Sequence, residues 1–189
     1  MLFIEGIERL ANNHRPSVVS IGNFDGVHLG HQAVVKTLLD EAHSRSLPAT
    51  IVTFEPLAKE YFKPNSIARL TTITEKVALL KSLGVEQVLC IEFNDELVNT
   101  QPQAFIENVL LQGLGVKFLS VGDDFRFGHE RAGDFKMLER YGQQHSFDVV
   151  SHDTFTLAGE RVSSGRIRTS LKEGRLDLAA ELLGRPFSI

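Results

Sequence analysis

The stretch from Ser20 to Gln32, Ser-Ile-Gly-Asn-Phe-Asp-Gly-Val-His-Leu-Gly-His-Gln, gathers the side chains best suited to chemistry in this chain. An apolar run, Val18-Val19-Ser20-Ile21, stops at Gly22, and Gly26, His28, Gly30 and His31 follow before a helical pattern opens with Val34, Val35, Leu38 and Leu39. Strand, glycine-rich turn and helix in that order make an anion site, because backbone N–H groups at a helix start have no partners within the helix. Two imidazoles three residues apart lie on one helix face and can reach the same anion. The chemistry indicated is the handling of a phosphate. Taken singly, each piece has a plainer reading: a loop histidine is usually solvated, and glycines can serve only the turn. Their combination at the first strand-to-helix corner favours the anion site. Imidazole is also a zinc ligand. However, no third ligand follows at a familiar spacing, and the single cysteine, Cys90, sits in an apolar run, so no protein-held metal is expected. The glycines do not follow Gly-x-Gly-x-x-Gly, which argues against a dinucleotide-binding dehydrogenase.

A second cluster is Ser163-Ser164-Gly165-Arg166-Ile167-Arg168. Two hydroxyls at a helix start, with Arg168 one turn further, can face one pyrophosphate group. The plainer reading is a serine cap beside a surface arginine. Arg161 is a further candidate for the same role.

These groups need elements to position them. Hydrophobic runs predict strands over 17–22, 49–54, 87–93, 116–121 and 147–152, and helical periodicity predicts helices over 31–45, 74–83, 102–112, 133–144, 163–173 and 175–183. The strands are short, β-branched and nearly continuous in apolar character, as expected when helices cover both faces of a sheet. Leu83-Gly84 is a helix stop, and Pro102 opens the next helix with Thr100 as its cap. Residues 1–16 read as a short leading strand and a loop closed by Arg15-Pro16. The fold class is α/β, a Rossmann-like doubly wound parallel sheet joined by right-handed crossovers. Ligands in such sheets sit at the carboxyl ends of the strands near the switch point. That rule places Gly22 to His31, Phe54-Glu55-Pro56 and Gly122 to Gly128 on one rim.

The segment Gly22-Asn23-Phe24-Asp25-Gly26-Val27-His28-Leu29-Gly30-His31 resembles the His-x-Gly-His signature of the nucleotidylyltransferase superfamily. In this longer form it resembles the bacterial bifunctional riboflavin kinase/FMN adenylyltransferase (FAD synthetase) family. Three further blocks carry the resemblance: Thr53-Phe54-Glu55-Pro56, then Val121 to Gly128 with Arg131 and Gly133-Asp134, and Arg161 to Arg168. Gly165 departs from the threonine usual in that family, and Leu57-Ala58 stands where another proline is common. The tail Leu182 to Ile189 resembles the junction into the family's riboflavin kinase barrel. The expected organisation is thus an adenylyltransferase domain over 1–184 and the start of that junction over 185–189, with the chain ending where the kinase half would begin.

The resemblance implies transfer of AMP from ATP to FMN, giving FAD and pyrophosphate. It implies catalytic roles for His28, His31, Asn23 and Arg168, and an ATP site formed by Gly22, Phe24, Gly30, Arg161, Ser163 and Ser164. It puts the flavin near Phe54, Pro56, Phe62, Asp124, Phe125 and Phe127, where a flat ring system could pack on aromatic rings. For any one phenylalanine, filling the core is the competing reading. Asp25 is expected to orient groups of the site. Gly30 is expected to let the triphosphate approach the helix start. Mg²⁺ is expected as a companion of the phosphates. Rival readings are a nucleotidylyltransferase for another acceptor, such as nicotinamide mononucleotide or phosphopantetheine, and a non-catalytic flavin or nucleotide binder.

Composition sets bounds. An apolar content of 42% in 189 residues supports one sizeable core. A net charge of −4 provides no basic field for duplex nucleic acid, so phosphate affinity must be local. No apolar stretch is of membrane-spanning length, and Met1-Leu2-Phe3-Ile4-Glu5 lacks a basic leader. With a single cysteine, a reducing cytoplasm is the expected location.

Overall fold

Val18–Ile21 is short and apolar on both faces, so it must lie where helices cover the sheet from both sides. In the computed structural model, which describes residues 1–10 and 16–188, all four of its residues are buried. This strand, β2, lies among β1 (Leu2–Glu5), β3 (Ala49–Glu55), β4 (Gln87–Glu92), β5 (Phe118–Gly122) and β6 (Asp148–His152). The six strands run parallel in the order β1-β4-β3-β2-β5-β6. The chain winds outward from β2 through β3 to β4, then crosses to β5 and β6 on the other side. The order therefore reverses between β2 and β5, and a crevice opens beyond their carboxyl ends.

Because successive side chains point to opposite faces, neighbours in one strand feed different cores. Val19, Leu89 and Leu119 pack with Ile106, Leu110 and Leu138. Those partners come from α5, an α turn Pro102–Ala104 continued by a π-helix Phe105–Gly113, and from α6 (Phe135–His145). Val18, Ile51 and Val88 instead meet α1 (Leu29–Arg45) and α3 (Ile73–Ser82) through Val35, Leu38 and Leu80. A third cluster, with Leu70, Ile167, Leu182 and Leu183, seats α7 (Ser164–Lys172) and α8 (Leu176–Leu183). Each such fully buried leucine contributes about 1.5–3 kcal/mol.

Element boundaries fall within a few residues of expectation, and each larger difference has a local cause. α1 begins at Leu29 rather than 31 because His28 caps it. Thr100 does not cap α5. It donates to the Glu96 carbonyl at 2.8 Å and closes the preceding α4 (Asp95–Asn99), while Gln101 takes the cap position before Pro102. Gly84 stops α3 with φ +99°, as expected. α2 (Ala58–Phe62), α4 and a hairpin of β7 (Thr156–Leu157) with β8 (Glu160–Arg161) are too short to carry a periodic signal. The leading strand pairs with β4 at the sheet edge. The expected closure at Arg15 and the final tail residue Ile189 lie outside the described residues. Among the described residues, no helix is long and apolar enough to cross a membrane.

Candidate active site

The loop from β2 to α1 holds backbone conformations that side chains rarely adopt. Phe24 has φ 47°, Gly26 84° and Val27 41°. For a β-branched residue such as Val27 this costs about 1–3 kcal/mol and persists only if the surroundings over-determine it. They do. The buried Asp25 carboxylate accepts from Leu70 N at 3.0 Å, Thr71 N at 3.1 Å and Thr71 Oγ1 at 3.3 Å, and it pairs with the Arg168 guanidinium. Thr71 Oγ1 accepts the Gly26 N–H at 3.0 Å. Ser164 Oγ donates to the Asp25 carbonyl at 2.8 Å, Gln32 Nε2 to the Val27 carbonyl at 2.9 Å, and Arg185 Nη2 to the Gly26 carbonyl at 2.8 Å. Three distant parts of the chain thus set one strained turn.

The turn delivers the histidines. His28 occupies the N-cap of α1 and its Nδ1 accepts the His31 N–H at 3.3 Å. With Nδ1 so occupied, the neutral ring carries its proton on Nε2, which is left to donate outward. The two rings stack with centroids 3.6 Å apart, and Phe24 packs on His31 at 5.0 Å. Burial pushes the His28 pKa down to about 4, aided by the positive Arg161, Arg168 and Arg185. Burial, and then His28, Lys76 and His152, hold His31 well below the usual imidazole range. Both rings are neutral donors at pH 7. A Cβ at Gly30 would lie 3.2 Å from the His28 ring. Gly30 therefore makes room for that imidazole, and it also borders a polar cleft at the start of α1.

Two cavities open on this rim. A polar cleft of about 350 Å³ takes in Gly22, Asn23, Phe24, His28, Gly30, His31, Arg161, Ser163 and Ser164. An aromatic cavity of about 600 Å³ takes in Phe54, Phe62, Phe125 and Phe127. The two share Gly22, Asn23, Asp124 and Phe125, and so meet at the ends of β2 and β5 where the strand order reverses. Phe125 and Phe127 stack at 5.5 Å, while Phe62, 66% exposed, stands at the mouth. Phe127 is 8% exposed and also packs against Phe105, so it belongs to cavity wall and core alike.

Two expected residues do not line either cavity. Arg168 is engaged instead by Asp25 and by the Ala68 carbonyl at 2.6 Å, because α7 turns that side chain toward the buried carboxylate. It supports the loop rather than facing the cleft. Pro56 leaves the end of β3 outside the cavity, and the wall is completed by Phe93, Leu97 and Val98. Ser163 accepts the Arg166 N–H at 3.2 Å as the α7 cap, yet still borders the cleft. The residues missed in the cleft include the run His152, Asp153, Thr154 and Phe155; Ser120 Oγ lies 2.9 Å from His152 Nδ1. The rim rule itself could have found Phe93 and His152, which end or follow β4 and β6. Leu97 and Val98 had no such signal, since they ride on the short α4. Among the described residues, no group of three or more His, Cys, Asp or Glu side chains converges as a metal site.

The FAD synthetase family model matches residues 10–166. A bifunctional riboflavin kinase/FMN adenylyltransferase of Escherichia coli strain K12 is 44% identical over 191 residues, and one of Pseudomonas fluorescens 41% over 189. Both matches cover 100% of this chain and 61% of the relative, so the chain spans about three-fifths of their length. Among solved structures, one described as a macrolide-efflux protein from Streptococcus pneumoniae superposes with a TM-score of 0.87 at 24% identity, covering 99% of this chain and 72% of that one. A pantothenate synthetase from Thermus thermophilus gives 0.56 at 14% identity, covering 97% and 81%. At these identities the two structures bear on the fold alone.

Proposed function

The chain belongs to the FAD synthetase family, and on that premise we propose that it transfers AMP from ATP to FMN, releasing pyrophosphate and forming FAD. The observation that carries this reading is the meeting of a polar cleft and an aromatic cavity at Gly22-Asn23 and Asp124-Phe125. A triphosphate suits the first and an isoalloxazine the second. The FMN phosphate and the ATP α-phosphorus would then meet at the partition.

An FMN phosphate oxygen attacks the α-phosphorus in line, a new P–O bond forms, and the bond to pyrophosphate breaks. The attacking group is already an anion, so no general base is needed; the protein supplies positioning and relief of charge. His28 donates from Nε2 and His31 from its ring to phosphoryl oxygens, and fixed donors of this kind contribute about 2.7–4 kcal/mol each to the transition state. Their neutrality suits donors that must not lose a proton at pH 7. Arg161, Ser163, Ser164 and the N-terminus of α7 border the same cleft and would receive the leaving pyrophosphate. Arg168 acts through Asp25, by fixing the loop. Asp123, Asp124 and Asp153 enter the cleft without forming a cage. Magnesium would arrive as the ATP complex, held by phosphates and water.

Riboflavin phosphorylation, named for the longer relatives, is proposed to reside in a covalently linked kinase domain of a parent protein. The cytoplasm is the proposed location, where the buried Cys90 thiol stays reduced. Incubating the chain with ATP and Mg²⁺ and either FMN, riboflavin or nicotinamide mononucleotide, followed by chromatography, tests the assignment. FAD from FMN and no product from riboflavin is the expected result. Product from nicotinamide mononucleotide with none from FMN would reject it.

A further inference from the structure

Lys76, on α3, is the largest of the fully buried side chains, with 1% of its surface exposed. Among the described residues its ammonium makes one hydrogen bond, donated to Thr53 Oγ1 at 3.3 Å, and forms no ion pair. Lysine is almost never buried in this way without a partner, and taking its charge out of water costs more than one such bond returns. Burial pulls its pKa down, against the opposing fields of Asp25 and Glu55. Stability gives no reason for a lysine here, since an unbranched apolar side chain would fill the same volume.

The position of the ammonium supplies one. Thr53 Oγ1, which accepts from Lys76, donates to the Asn23 carbonyl at 3.1 Å. Asn23 is one of the residues shared by the polar cleft and the aromatic cavity. A line of donors thus runs from inside α3, through β3, to the partition where the two substrates would meet. The same charge lies close enough to His31 to disfavour its protonation. A buried cost without a structural return, adjacent to a site, is the pattern expected of a functional group.

We propose that Lys76 is a positioning residue for group transfer, fixing the Asn23 backbone through Thr53 so that the phosphate of one substrate is held in line with that of the other. The proposal rests on the adenylyltransferase reading for its substrates, but its geometric core does not.

The test compares the wild-type chain with Lys76→Met and Thr53→Val by thermal unfolding, FAD formation from FMN and ATP, and hydrogen exchange of the loop over 22–28. Lys76→Met should melt at or above the wild-type temperature, because an unpaired buried charge has been replaced by an apolar group of similar shape. Its kcat should fall by about a hundredfold, as a small misplacement of reacting groups can cost, while KM for both substrates stays within about threefold. Thr53→Val should reproduce the kcat loss, and both variants should exchange faster over 22–28. Wild-type kcat in either variant, or a lower melting point with unchanged activity per folded molecule, overturns the proposal. If the wild-type chain makes no FAD, faster loop exchange in both variants still supports the positioning role and only the substrates are wrong; unchanged exchange then overturns it.

Discussion

The chemistry of single residues here depends on burial more than on residue type. His28 and His31 would ordinarily be near half-protonated around pH 6.5, yet both are driven neutral, and His28 is further committed to one tautomer by capping α1. His31→Ala should keep the fold and lower turnover by at least about a hundredfold, the loss seen when one preorganised donor is removed; circular dichroism and a steady-state assay check both halves. The same burial makes a pH prediction. The folded pKa of His28 is about 4, below its unfolded value of 6.5, so the unfolded chain binds more protons between those limits. Its contribution is fully present above about pH 6.5 and is lost as pH falls toward 4, to a maximum of about 3 kcal/mol. His31 acts in the same direction. Melting temperatures between pH 8 and pH 4 should decline over that window. In His28→Asn, which preserves a capping oxygen, the decline should be shallower; an unchanged slope would refute the assignment.

Among the elements, the turn between β2 and α1 is the one that other elements hold in place. Its left-handed Phe24 and Val27 are not conformations the local sequence favours, and the contacts that impose them come from 70–71, α7 and the C-terminal tail. Asp25 joins most of them. Asp25→Ala would leave the Arg168 charge half-buried without its partner and free two backbone N–H groups, so a loss of about 3–5 kcal/mol is expected. Chemical denaturation reads that directly. Activity should fall further than folded fraction does, because His28 and His31 are placed by this turn. The sequence pointed to Asp25 as an orienting group and to Arg168 as a pyrophosphate ligand, and the structure pairs these two side chains. Both belong to one support, a buried carboxylate and its cation.

For the molecule as a whole, the C-terminal tail is part of the site's scaffold. Arg185, which the sequence places in a junction beyond the domain, donates to the carbonyls of Gly26 and, at 3.5 Å, Val27. Arg185→Ala should reduce kcat by about tenfold or more, with little change in the melting of the main sheet, since it frees the Gly26 carbonyl and leaves that of Val27 to Gln32 alone in the turn that carries the histidines; wild-type kcat would show that the tail is only a tether. The amino-acid sequence by itself determined the alternation of strands and helices, the gathering of Gly22 to His31 and Gly122 to Gly128 on one rim, and the candidacy of that rim for the proposed phosphate chemistry. Those rest on periodicity, caps and turn residues, which act between near neighbours in the chain. Tertiary structure alone decided that Asp25 meets Arg168 across 143 residues, that Lys76 is linked to Asn23 through Thr53, and that Leu97 and Val98 complete the aromatic wall. The physical reason is that such contacts depend on strand order and helix rotation, and residues far apart in sequence leave no local mark of the neighbours that packing gives them.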